Sequence, residues 1–195
     1  MATQLEALME NLRAVEAEIE IELAKRREAL RFHIENKRIV FEQEVRRIHR
    51  SIKTHAAKYL LQANPLIVLT APVIYSMIVP FVLLDVFVMT YQAICFPVYK
   101  IPKVRRRDYL VFERHHLAYL NIIEKINCAY CSYGNGVIAF AREVTARTEV
   151  YWCPIKNARR MLGPHPYYAG FADFGDAEGF HEQAARANAG LKFPQ

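Results

Sequence analysis

Cys128 and Cys131 frame the motif C-A-Y-C, and a third cysteine, Cys153, returns in Y-W-C-P. Two thiolates three residues apart can grip one metal ion, and a closed tetrahedral site then needs a fourth ligand. His165 supplies it in the pattern C-x2-C-x21-C-x11-H, with His181, His115 and His116 as alternatives. Zinc is the cofactor that such a thiolate-rich set predicts. Two other readings stay open. Thiols one helical turn apart on a buried face act as small hydrophobes, and a dithiol can also perform redox chemistry. Thioredoxin-like redox chemistry is disfavoured, because no strand precedes the motif.

The remaining chemistry-bearing residues are sparse. Glu113 with His116 and Glu178 with His181 have the Glu-x-x-His spacing of di-iron helical bundles, but 16 Glu and 7 His in 195 residues produce such pairs by chance. No G-x-S-x-G elbow, phosphate-cradling glycine loop or serine triad occurs, so no catalytic residue is assigned. Asp85 stands apart. It is the one formal charge among residues 59 to 99, and a carboxylate in such a segment is expected either to be functional or paired, with Gln92 at helical spacing or with a neighbouring chain, or to be hydrated in a shallow hairpin.

That uncharged stretch is the element that dominates the organisation. A hydrocarbon core about 30 Å thick takes a helix of about 20 residues, so residues 59 to 99 fit a membrane-embedded hairpin or re-entrant loop turning near Pro80, a single span, or the buried helical core of a soluble protein. Basic residues flank both ends: Arg46, Arg47, Arg50, Lys53 and Lys58 before it, Lys100, Lys103, Arg105, Arg106, Arg107 and Arg114 after it. Such clusters stay on the cytoplasmic side, which favours a hairpin with both termini cytoplasmic at a bacterial inner membrane. Residues 100 to 107 then form a basic juxtamembrane linker in which Lys103, Arg105, Arg106 and Arg107 meet anionic headgroups.

Residues 1 to 58 contain no proline and no glycine and predict one long amphipathic, coiled-coil-like helix. Leu5, Leu8, Leu12, Val15 and Ile19 recur at intervals of 3, 4, 3 and 4, the seam of a coiled coil. The seam resumes at Leu30, Ile34, Phe41, Val45, Ile48 and Ile52 after the polar stretch Lys25 to Arg27. It calls for a partner helix: a second copy, another helical membrane protein, or a helix that Asp108 would cap and that carries Leu110, Leu117, Leu120, Ile123 and Ile126. Residues 108 to 182 read as a cytoplasmic helical domain, with Gly134-Asn135-Gly136 expected to loosen its helix. From Cys153 onward prolines, glycines and aromatics predict an irregular tail, and residues 183 to 195 a loose C-terminus.

The stretch N-I-I-E-K-I-N-C-A-Y-C-S-Y-G-N-G at 121 to 136, with Y-W-C-P-I-K and F-G-D-A-E after it, resembles an uncharacterised family of bacterial membrane-associated proteins over roughly residues 55 to 182. The resemblance implies a membrane location and no activity. With 53% hydrophobic residues and 24% charged ones, the chain can bury a core and is not a disordered polymer. The net charge of +6 comes without aromatics interleaved among the basic residues, so no nucleic-acid partner is expected. No basic and apolar leader opens the sequence, which argues against a disulfide scaffold. The expectation is therefore an all-α, membrane-anchored assembly or scaffolding protein. Its rival is a small membrane-bound enzyme using metal or thiol at Cys128, Cys131 and Cys153.

Overall fold

The computed structural model describes residues 4–29, 32–35, 38–41, 43–177, 179–182 and 185. The chain is helical in class, and it divides into two compact units. The loose C-terminus expected over residues 183 to 195 lies, apart from residue 185, outside the described residues, as do the two termini, Glu178 and the seam residue Leu30.

The first unit comprises residues 1–62 and 113–125. Helix α1 runs Gln4–Ala29, strands β1 (Phe32–Glu35) and β2 (Arg38–Phe41) form an antiparallel hairpin, and helices α2 (Gln43–Ser51) and α3 (Ala56–Gln62) follow. The single helix expected over residues 1 to 58 is thus interrupted. The cause is legible in F-H-I-E-N-K-R-I-V-F, where aromatic and β-branched residues flank an Asn-Lys pair. The register pairs Phe32 with Phe41 and Ile34 with Ile39, and sets Glu35 across from Arg38. Along α1 the seam residues Leu12, Val15 and Ile19 are 59%, 51% and 53% exposed, so no described residue of this chain covers them.

The first turn of helix α6 (Ile122–Trp152) also belongs to this unit. Asn121 Oδ1 accepts from the Ile123 and Glu124 amides at 2.9 and 3.0 Å, while Glu124 Oε2 accepts from the Asn121 amide at 2.8 Å. This reciprocal capping box starts the helix thirteen residues later than the expected Asp108 cap. Asp108 instead closes a short 3-10 turn, Arg106–Asp108.

The second unit comprises residues 63–112 and 126–195. Helices α4 (Pro65–Ser76) and α5 (Ile78–Tyr99) follow one another with only Met77 between them. Together they make a 35-residue stretch that is long and apolar enough to cross a membrane. The chain does not reverse at Pro80, so the expected hairpin is replaced by one helix with a jog. Pro80 falls in the first turn of α5, where a missing amide costs little. Around the jog, Ile74 O accepts from the Met77 amide at 3.2 Å and from the Tyr130 hydroxyl at 2.6 Å, so its carbonyl is not left bare. At the other end, Asn64 caps α4 by accepting the Leu66 amide at 2.9 Å, with Pro65 in the first helical position.

Helix α6 runs alongside in the same direction. Tyr75 bonds Asn127, Tyr133 bonds Asp85, Tyr91 bonds Thr148, and Tyr99 stacks on Tyr151. The partners rise together in number, which defines a parallel pair. Gly134 and Gly136 do not loosen α6; they are buried on two of its faces. A Cβ on Gly134 would stand 2.8 Å from the Phe81 ring, and one on Gly136 would stand 2.7 Å from Tyr109 O. The glycines let α5 approach from one side and the chain around Tyr109 and Leu110 from another. Phe96, Val137, Phe140 and Val144 are the centre of the resulting core.

Candidate functional site

The inward stripe of α5 consists of Phe81, Asp85, Val88, Gln92 and Phe96, spaced by three and four residues. Two polar residues sit on that otherwise apolar stripe, and both are buried. What buries them is the basic linker, which folds back along α5. Its departure is set by Lys100, whose left-handed conformation (φ 58°) closes the helix while the Ile101 amide donates to Phe96 O at 2.9 Å. This is the Schellman arrangement, and it places Ile101 in the core against Phe96.

From there the linker behaves as a strap with alternating faces. Ile101, Val104 and Leu110 are buried, whereas Lys103, Arg105 and Arg107 are exposed. The Val104 amide donates to Gln92 Oε1 at 3.0 Å. Two helical turns away, Arg106 clamps Asp85: Nε lies 2.9 Å from Oδ1 and Nη2 lies 2.6 Å from Oδ2. The Tyr133 hydroxyl adds a third bond to Asp85 Oδ2 at 3.0 Å. A buried carboxylate is stable only when paired and hydrogen-bonded, and this set meets both conditions. Burial, followed by the acceptor Asp85, pushes the Tyr133 phenol above its ordinary range, so it stays a donor.

Of the expected alternatives for Asp85, pairing is the one found, and the partner is Arg106 rather than Gln92. Of the four residues assigned to headgroups, Lys103, Arg105 and Arg107 remain exposed, while Arg106 is committed to the strap. Sequence spacing could not expose the Asp85–Arg106 bond, because the partners are 21 residues apart and belong to different elements.

The metal set is not brought together. Cys128 and Cys131 lie one turn apart on α6, and Cys153 continues that helix, its amide donating to Glu149 O at 2.9 Å. At 1.5 Å per residue, the 22 positions from Cys131 to Cys153 separate them by about 33 Å. His165 is also spent: Nε2 pairs with Glu149 Oε2 at 2.9 Å, and Nδ1 accepts the Tyr167 amide at 3.2 Å. Among the described residues no three His, Cys, Asp or Glu side chains form a metal-binding group. Glu113 and His116 fare no better, because Glu113 precedes and His116 ends a 3-10 turn, so they share no α-helical face.

His165 belongs instead to the seat of the tail. Its ring lies among Tyr167, Tyr168 and Phe171. Nearby, Glu143 Oε1 accepts from Arg147 Nε at 2.8 Å and from the Tyr167 hydroxyl at 2.5 Å, and Arg147 Nη1 donates to Pro102 O at 2.9 Å. Burial, then the Glu143 contact, pushes the Tyr167 phenol well above its usual range. Arg147 thus ties α6 to both the strap and the tail.

No known family matches the chain, and comparison with curated proteins and with solved structures finds no matching relative. On the face of α4 and α5 away from the strap, Leu66, Ile67, Leu69, Val73, Val82, Leu83, Val86, Phe87, Ile94 and Val98 are exposed. The arrangement is a charge-free apolar face backed by a clamped basic strap.

Proposed function

We propose that the chain is a membrane-anchored helical scaffolding protein whose α4–α5 segment lies along the bilayer surface, with its apolar face in lipid and its strap toward the headgroups. The observation that carries this reading is the position of the strap. Arg106 meets Asp85 in the interior of the 35-residue helical stretch, and exposed Lys103, Arg105 and Arg107 accompany it there. A helix crossing upright, centred on that stretch, would carry these cations into hydrocarbon, at a cost of about 2.5 to 3.5 kcal/mol each on insertion scales. The stretch is also about 52 Å long at 1.5 Å per residue, against a core of about 30 Å. Lying in the plane resolves both. The basic residues then gain about 1 kcal/mol each beside anionic lipid, and both ends of the chain stay on one side, the cytoplasmic side of a bacterial inner membrane.

The scaffolding part of the reading is supported by α1. Its narrow apolar seam is open to solvent over Leu12, Val15 and Ile19, with charges on either side, and suits a second copy of the chain. Flotation of the purified chain with vesicles tests the anchor. Binding to phosphatidylcholine vesicles that tightens when phosphatidylglycerol is added is expected; a chain that stays in the soluble fraction with both would end the proposal.

A further inference from the structure

A separate feature of the first unit points to a ligand. Arg46, Arg50 and Lys53, together with His115, His116 and Lys125, line an open cavity of about 370 Å³, and Ala118 completes its lining among the described residues. Arg46 and Arg50 are one turn apart on α2, and Lys53 follows its end. Lys125 stands at the end of the first turn of α6, the end of a helix where the backbone dipole adds positive potential. No carboxylate lines the cavity, and no ion pair engages Arg46, Arg50, Lys53 or Lys125 among the described residues.

Four cations gathered without a counter-ion repel one another, so the arrangement favours an anion that can take several of them at once. We propose that this cavity binds a phosphate monoester. At neutral pH a monoester carries about −1.5 to −2 charges and three acceptor oxygens, twice the charge of a diester, and arginine forks suit those oxygens in pairs. The cavity is wider than a bare phosphate, which leaves room for the group the phosphate is attached to. Among the described residues it offers no phenyl, phenol or indole ring on which a nucleobase could stack. Two sources share this chemistry: a monoester lipid headgroup such as phosphatidate, and a soluble phosphorylated metabolite. The site lies in the first unit and does not depend on the apolar face of α5.

The test uses the full chain in a non-ionic detergent, titrated with glycerol 3-phosphate and with glycerol by calorimetry, and separately floated with phosphatidylcholine vesicles containing phosphatidate or phosphatidylglycerol at equal charge. Arg46→Gln/Arg50→Gln and Lys53→Gln/Lys125→Gln are compared with Lys103→Gln/Arg105→Gln/Arg107→Gln, and circular dichroism checks folding. The expected result is phosphate-dependent binding that falls at least tenfold in both cavity variants and stays within twofold in the strap variant. Response to glycerol 3-phosphate assigns a soluble ligand, and response to phosphatidate over phosphatidylglycerol alone assigns a headgroup. Absence of both responses, or equal loss in the strap variant, overturns the proposal. Vesicle binding lost only in the strap variant would refute this site while leaving the anchor reading intact.

Discussion

Two apolar surfaces are left open, one on α1 and one on α4–α5, and they differ in width and in charge. The α1 seam is a single line of Leu12, Val15 and Ile19 on a helix that also carries Glu10, Arg13, Glu16, Glu18 and Glu20. The α4–α5 face is many residues wide, and no charge other than buried Asp85 occurs from Pro65 to Tyr99. A narrow seam bordered by charge is satisfied by another helix with the same pattern. A broad face without charge has no polar rim to orient a partner helix, and under the proposed function lipid covers it. The two surfaces therefore teach that apolar exposure alone does not name an occupant; what borders it does.

The comparison breaks most sharply on the wide face. Replacing Leu83, Val86 and Phe87 together by Asp should lower vesicle affinity by more than a hundredfold, since each change removes about 1.5 to 3 kcal/mol of apolar burial and adds a charge. Because all three side chains are exposed, the helical signal and the unfolding midpoint should stay close to wild type.

The opposite result is expected on the covered face of the same helix. Asp85→Ala leaves the Arg106 guanidinium and the Tyr133 hydroxyl without their acceptor. Arg106 is partly open to water, which softens the penalty, so a loss of about 2 to 3 kcal/mol in denaturant unfolding is predicted. Asp85→Ala/Arg106→Ala should recover part of that loss, and its failure to do so would count against the clamp.

Gly136→Ala follows in size. The added Cβ meets the Tyr109 carbonyl oxygen at 2.7 Å and the Leu110 backbone at 3.2 Å, and backbone cannot swing aside. Overpacking of about 1 to 3 kcal/mol outweighs the gain of about 1 kcal/mol in helix propensity. Gly134→Ala meets only the edge of the Phe81 ring, which can rotate, and should cost less. Equal effects in thermal unfolding would contradict the two-faced packing of α6.

The smallest effect on stability belongs to the narrow seam. Leu12→Asp/Val15→Asp should change the melting temperature of the monomer by an amount near the error, as exposed substitutions do, within about 0.5 kcal/mol. Sedimentation of the same variant should show loss of self-association. An unchanged assembly state would remove the seam from the scaffolding account.

The sequence makes some of this visible and hides the rest for physical reasons. The charge-free stretch is legible because a bilayer-scale apolar run needs no tertiary information to be recognised. The α1 helix is legible from its spacing, yet its extension through residue 58 fails because the alternation around Asn36-Lys37 is a period-two signal inside a longer helical composition. Asn121 and Glu124 stand three apart as a capping box should, and Asp108 drew attention only because it precedes leucines. The glycines at 134 and 136 look like helix breakers until the approach of Phe81 and Tyr109 supplies the reason for them. The cysteine spacing fits a metal site only if the chain turns back between Cys131 and Cys153, and one continuous helix keeps them apart instead. Arg106 could be recognised as a cation but not as the partner of Asp85, since that choice is made by the strap's fold-back and not by local spacing.

The central claim is that α4–α5 lies in the plane of the membrane. Spin labels placed singly at Leu66, Val73, Val82, Phe87, Ile94 and Val98, all exposed positions, report immersion depth by power saturation in vesicles. An in-plane helix predicts a similar shallow depth, about 5 to 10 Å, at every one of the six. Depth that rises to a maximum near the bilayer centre between Val73 and Phe87 and falls again toward both ends would mean an upright crossing and would contradict the account.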